Sequence, residues 1–359
     1  MIVVIGSGII GSWIAYTFAK AGEEVFVIDQ SPNPGDGISG RNSGVLHSGI
    51  YYDSNSLKSK FCFKGYEISI PFFQKNKIPF SICGKVITIG LSDSLNEENE
   101  KIKSIESLYQ NGKDFGIEKI ELKKEPYKHW KHVLGSTALW IPKTGVVDAS
   151  YYLKTLWRLC EDLGVQFLKN KKVKIQDSSV IAIDLSTNQK EEIQADTYIN
   201  ACGLYSDELA IDSGLFEYEI RPNKGEYFRL RNQLPKQILI YPLPMKSSTA
   251  LGVHYTFHLG GDAYAGPNTN WATSKEDYQF QTPRNQYFES LKKILDFYSE
   301  DDLIEGYVGL RPRLFNKGDA VKDFVIHKES NWIHLLGIES PGLTSAPAIA
   351  EEVVRMVTK

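Results

Sequence analysis

Apolar residues along this chain gather in short blocks with two different periods. Ile2 to Ile5 is an unbroken apolar run of strand length that leads straight into Gly6-Ser7-Gly8-Ile9-Ile10-Gly11. From Trp13 to Phe18, apolar and small residues recur at helical spacing until Ala21-Gly22, where glycine stops a helix. Glu24 to Ile28 reads as a second strand, closed by Asp29. The order is strand, glycine loop, helix, strand, acid, within about thirty residues. Next comes SGRNSGVLHSGIYY at 39–52, too rich in glycine and hydrogen-bond donors for a regular element. The pattern predicts a loop there, with a helix from about Ser56.

Two later blocks repeat the strand-to-helix logic. Thr197 to Ala201 reads as a strand passing through Gly203 into a helix capped by Ser206 and Asp207. A second strand runs through Leu336 to Gly337, followed by the loop 339–342 and a helix from near Ser345, with Pro347 in its first turn. Between them, 83–91, 224–230 and 251–265 are rich in β-branched and aromatic residues and read as strands. Residues 95–112 predict an exposed helix, with Leu95, Ile102, Ile105 and Leu108 among many charges.

Composition narrows the class. A length of 359 residues suits two domains or one large one, and 42% hydrophobic with 24% charged residues is ordinary for a globular enzyme. A net charge of -3 argues against a nucleic-acid partner, and Lys169–Lys174 reads as a solvated edge. Cys62, Cys83, Cys160 and Cys202 form no CxxC pair and have no metal-ligand spacing, so no metal is expected. Reduced thiols, no leader-like segment and no apolar run approaching about 18 residues point to the cytoplasm, with peripheral contact to the inner membrane left open.

The glycine loop has a mechanical reading. Gly6 permits a tight turn, Gly8 lets backbone approach a pyrophosphate, and Gly11 lets helix and strand pack closely. The helix N-terminus favours the anion, and Asp29 can accept hydrogen bonds from a ribose. The motif does not separate NAD from FAD. In Gly309-Leu310-Arg311-Pro312-Arg313, proline holds Arg311 on extended backbone, where its fork could grip a carboxylate bidentately. Arg313 reads as a surface ion pair. Of seven histidines, His129 and His132 read as surface residues, His327 and His334 as strand residues, and His258 as undecided. His254 leads as a candidate base, with His47 as the alternative.

With these stretches in view, the sequence resembles the D-amino-acid-oxidase-like FAD-dependent oxidoreductases, and within them the L-2-hydroxyglutarate dehydrogenase/oxidase group. The matching stretches run in family order: GSGIIG, RNSGVLHSGIYY, KKEPY, TGVVD, NACG, KGEYF, YPLP, LGVH, GPN, GLRP and ESPGLT. The resemblance implies an α/β chain, α+β overall, with a Rossmann-like FAD-binding domain and an antiparallel-sheet substrate domain. Residues 1–75, 145–222 and 306–359 would build the first, and 76–144 with 223–305 the second. It implies that FAD lies along Gly6, Gly8, Ile9, Ile10, Gly11, Asp29, Gln30, Arg41, Asn42, Ser43, Gly44, His47, Gly203, Arg311, Gly342, Leu343 and Thr344. Arg311, His254, Lys224 and Tyr241 would meet the substrate.

The implied reaction is oxidation of an L-2-hydroxy acid to the 2-oxo acid. Hydride leaves C2 for flavin N5 while a base takes the hydroxyl proton, a task that suits histidine. Oxygen, a quinone or an electron-transfer protein would be the acceptor. An amine or amino-acid oxidase of the glycine/sarcosine type is the alternative. The chain departs from the family by having Gly37-Ile38-Ser39 before its RNSG, Ala149-Ser150-Tyr151 after TGVVD, and no arginine in Tyr255-Thr256-Phe257-His258. If that arginine holds a distal carboxylate, the substrate differs from 2-hydroxyglutarate.

Overall fold

The computed structural model describes residues 1–176, 179–244 and 252–358. Leu251, the first residue of LGVH, therefore lies outside the described residues.

Among the described residues, two sheets carry the architecture. The first has six strands in the order Val325–Glu329, Trp332–Leu336, Thr197–Asn200, Ile2–Ile5, Val25–Ile28, Gln166–Leu168. All neighbours are parallel except the edge pair Val325–Glu329 and Trp332–Leu336. Every residue of Ile2–Ile5 is buried, as a parallel strand covered on both faces requires. The helices Ile9–Lys20, Leu57–Asn76, Ala149–Asp162 and Gly342–Val357 form the layer on one face of this sheet, and the strands Lys171–Gln176 and Ser179–Asp184 cover the other. Trp13, Phe18, Phe61, Tyr152, Leu153 and Ile349 join there in one buried cluster.

The second sheet is mainly antiparallel and has ten strands. At its centre Tyr218–Leu230 pairs along its whole length with Leu303–Asn316, from Tyr218 opposite Asn316 to Leu230 opposite Leu303. Beyond Tyr218–Leu230 follow Ala263–Gly266, His254–Phe257, Leu239–Pro242, Lys85–Thr88, Thr137–Ile141 and Glu121–Lys124. Register decides what this sheet presents. Leu239 faces Lys85, Ile240 faces Tyr255, His254 faces Gly266, Phe228 faces Ala265 and Asn223 faces Arg311. Opposed residues share a face and a strand alternates. Lys85, Tyr241, His254, Tyr227 and Arg311 therefore project to one side, while Val86, Ile240, Tyr255 and Phe257 enter a core with Tyr287 and Leu291 on the other.

Several local expectations shift. The helix expected near Ser345 begins at Gly342, because the Ser345 N–H already bonds the Pro341 carbonyl at 3.0 Å. Ser206 and Asp207 sit in the first turn of Ser206–Asp212 instead of capping it. The Asp207 carboxylate accepts from the Ile220 N–H at 2.8 Å and pairs with Lys275 at 2.7 Å. The 39–52 stretch contains one turn of 3₁₀ helix, Ile38–Gly40, which begins just before it, and a two-residue strand, Val45–Leu46. Ser56 caps the following helix, its hydroxyl accepting from the Ser59 N–H at 3.0 Å.

Candidate active site

One cavity of about 1060 Å³ runs between the two sheets. At one end lie Asp29, Gln30, Gly203, Lys171 and Lys172; at the other lie His47, Tyr241, His254 and Arg311. Lysines that read as a solvated edge thus line the mouth beside Asp29.

The glycine loop opens the first end. Gly6 has φ +102°, and a Cβ there would lie 2.4 Å from the Ala201 carbonyl oxygen, so any side chain is excluded. A Cβ on Gly11 would strike the Gly6 oxygen, which accounts for the close approach of helix to strand. Asp29 Oδ2 accepts from the Ser7 N–H at 2.6 Å and from the Ser7 hydroxyl at 2.7 Å, and Oδ1 accepts from the Ser31 N–H at 2.7 Å. The carboxylate fixes the glycine turn and still borders the cavity.

In the 39–52 stretch Asn42 spends its amide on the loop itself. Its Nδ2 donates to the Ser39 carbonyl and its Oδ1 accepts from the Gly44 N–H at 2.8 Å. The Arg41 guanidinium stacks 4.3 Å over the Tyr278 ring. Gly6, Gly8, Ile9, Ile10, Asp29, Gln30, Arg41, Asn42, Ser43, His47, Gly203, Gly342 and Leu343 border the cavity. Gly11, Gly44 and Thr344 stand behind its wall, where the Thr344 hydroxyl accepts from the His47 N–H at 3.1 Å. The helix Gly342–Val357 starts at the cavity, aiming its positive end inward.

The far end is built by the ten-stranded sheet. Arg311 NH1 donates to Asn223 Oδ1 at 2.8 Å and to the Lys224 carbonyl at 3.3 Å; NH2 donates to the Asn268 carbonyl at 3.2 Å. All three acceptors are uncharged. Among the described residues no carboxylate is within ion-pair distance of Arg311, and burial holds its pKa below the usual arginine value. A Cβ on Gly225 would lie 2.8 Å from Arg311 NH2, so glycine there leaves room for the fork.

His254 is buried and lies flat on Tyr241, ring centroids 3.7 Å apart with 17° between planes. Its Nδ1 lies 2.8 Å from the Gly252 carbonyl, which can only accept, so Nδ1 carries the hydrogen and Nε2 the lone pair. Burial pulls the His254 pKa down to about 3 against the Gly252 hydrogen bond, with Lys85 and Arg311 pushing the same way as burial. His47 is pulled to about 3 by burial, then by Lys85 and His254. Its Nε2 sits 3.1 Å from the Ser340 hydroxyl. Both imidazoles are neutral near pH 7.

Lys224 is not brought to the cavity. Its ammonium is buried, pairs with Asp277 at 2.8 Å and donates to the Gln279 carbonyl at 3.0 Å. Arg313 does form an ion pair, but at the cavity wall, with Glu339 at 2.8 Å; Lys58 meets the same oxygen at 2.8 Å. Asn223, which braces Arg311, and Tyr51, which walls the cavity, escape a sequence reading because only sheet order and loop path bring them there. Lys85 left a signal: a lysine inside the apolar strand CGKVITIG, on the same face as Ile87.

An elongated cavity with a side-chain-free turn, a helix N-terminus and an acid at the end of the second strand fits FAD. A family profile described as FAD dependent oxidoreductase matches residues 1–356. The L-2-hydroxyglutarate dehydrogenase of Indibacter alkaliphilus is 28% identical, covering 100% of this chain and 98% of that one. The enzyme of that name from Escherichia coli is 27% identical over 99% of this chain and 92% of its own. Among solved structures, the dithionite-reduced L-α-glycerophosphate oxidase of Mycoplasma pneumoniae with FAD bound superposes with a TM-score of 0.86. It is 23% identical, covering 100% of this chain and 94% of that one. Glycine oxidase from Bacillus cereus gives 0.79 at 17% identity, covering 99% of this chain and 96% of its own, and at such identities the likeness is one of fold. Matched from its first residue almost to its last, this chain belongs to the DAO family of FAD-dependent oxidoreductases.

Proposed function

We propose that the chain oxidises an L-2-hydroxy acid to the 2-oxo acid, and that L-2-hydroxyglutarate is the first substrate to test. The observation that carries this reading is the pairing, in one cavity, of a guanidinium and an imidazole: among the described residues the first has only neutral partners and the second has a free Nε2. Relatives named L-2-hydroxyglutarate dehydrogenase that match along 97–100% of the chain support it.

In this reading Arg311 binds the α-carboxylate, trading neutral acceptors for a charge-assisted pair. That fixes the orientation of C2 and of the hydroxyl. His254 accepts the hydroxyl proton at Nε2, with Tyr241 and the Gly252 carbonyl holding the ring in place. The imidazolium that forms lies beside the bound carboxylate, which offsets the cost of charging a buried ring. FAD, when bound, supplies the hydride acceptor. Gly6, Gly8, Ile9, Ile10, Gly11 and Asp29 serve its diphosphate and ribose, and His47 with Gly342, Leu343 and Thr344 its ring system. Oxygen, a quinone or an electron-transfer protein takes up the electrons.

The division into 1–75, 145–222 and 306–359 against 76–144 and 223–305 belongs to the same proposal. The strands Tyr218–Leu230 and Leu303–Asn316 run across both of its later boundaries and would serve as shared struts. Among the described residues no helix is long and apolar enough to cross a membrane.

The test is anaerobic mixing of the yellow protein with a panel of L- and D-2-hydroxy acids and amino acids. Bleaching by L-2-hydroxy acids is expected. Bleaching by amino acids alone would transfer the site to the amine-oxidase class.

A further inference from the structure

Lys85 opens the strand Lys85–Thr88 and is fully buried. Among the described residues its ammonium meets no carboxylate and no hydrogen-bond acceptor. What it meets are two aromatic faces: Nζ lies 4.4 Å from the Tyr51 ring centroid and 4.9 Å from that of Tyr241. Both tyrosines wall the substrate end of the cavity. Tyr241 carries His254 on its ring, and Lys85 sits opposite Leu239, two residues before Tyr241 on the same face of the sheet.

The fold alone does not account for this charge. Burying an ammonium costs more than its two cation–π contacts return. A methionine would fill the space without that cost. Groups facing Lys85 come from every neighbouring element: Cys62 from the helix Leu57–Asn76, His47 and Tyr51 from the loop before it, and Tyr241 and His254 from the adjoining strands. None of these is an acid ionised at neutral pH.

We propose that Lys85 is a positioning residue of this active site: its ammonium clamps the Tyr51 and Tyr241 rings behind His254 and, with Arg311, makes the cavity floor positive for an anionic substrate. The inference rests on the reading of this cavity as a site for carboxylates.

Burial draws the Lys85 pKa down to about 7, opposed by Cys62. The ammonium is therefore present below that pH and is lost above it. The folded value lies under the ordinary lysine value, so the unfolded chain holds the extra proton between the two. The stability cost of Lys85 is thus largest below pH 7 and fades as pH rises.

The test uses FAD-loaded wild-type, Lys85→Met and Lys85→Gln proteins, with oxalate, which has no C–H to oxidise, as the probe. Oxalate binding is read from the flavin difference spectrum between pH 5.5 and 8.5. Wild-type affinity is expected to weaken as pH passes through about 7. Both variants should bind roughly tenfold more weakly at pH 6, show no such step, and melt no lower than wild type below pH 7. Unchanged affinity and pH profile overturn the proposal. So does failure of both variants to fold or to hold FAD, which would make Lys85 a structural residue. Should oxalate behave as expected while no 2-hydroxy acid bleaches the flavin, Lys85 stands and the hydroxy-acid reading falls.

Discussion

Tyr241 and His254 lie face to face on neighbouring strands, ring centroids 3.7 Å apart, and the Gly252 carbonyl locks the imidazole with Nε2 unprotonated. A base needs a lone pair at a fixed place, and this stack supplies both. His254→Ala should slow anaerobic flavin reduction by about 10²–10⁴-fold with FAD retained. A reduction rate near wild type would move the proton to His47.

Among the described residues Arg311 donates three hydrogen bonds, all to neutral acceptors, which on the proposed reading leaves its charge for a substrate carboxylate. Arg311→Leu should raise KM roughly 10- to 150-fold, the value of a lost charge-assisted pair. Steady-state kinetics on protein of unchanged flavin content checks this, and an unaltered KM removes Arg311 from the site.

Gly225 tests the same contact from the other side. A Cβ there meets Arg311 NH2 and Pro267 Cβ, each at 2.8 Å. Gly225→Ala should displace the fork and lower kcat/KM by up to about 10²-fold while FAD binding is kept. Equal loss of FAD and of activity would point to a general distortion of the sheet.

Burial pulls His47 and His254 to about 3 and His334 to about 4. The unfolded chain takes up protons at these residues near their ordinary value, whereas the folded chain does so only near the depressed ones. Stability should therefore be retained above about pH 6.5 and fall progressively toward pH 3–4. Thermal midpoints measured across that range check the sign; a flat profile contradicts it.

At Gly6, φ of +102° and a 2.4 Å approach to the Ala201 oxygen leave no place for a methyl group. Gly6→Ala should yield colourless or unfolded protein, scored by flavin absorbance after reconstitution. A yellow variant with wild-type melting would show that the turn has another conformation.

What the sequence made legible follows from locality. Gly6, Gly8, Gly11 and Asp29 belong to one strand–helix–strand unit, so their spacing speaks for itself. Arg311 was readable because the proline that follows it restricts its own backbone. Lys224 was not, since its partner Asp277 comes from a loop 53 residues away that pairing with the sheet brings back. Lys85, Tyr241 and His254 likewise become neighbours only through strand order, which periodicity does not encode.

The most direct measurement is a single anaerobic turnover with L-2-hydroxyglutarate, following flavin bleaching and product together. Bleaching with one 2-oxoglutarate formed per flavin is expected from the L isomer, and none from the D isomer. A flavin left oxidised by every L-2-hydroxy acid, or bleached only by amines, would contradict the hydroxy-acid reading.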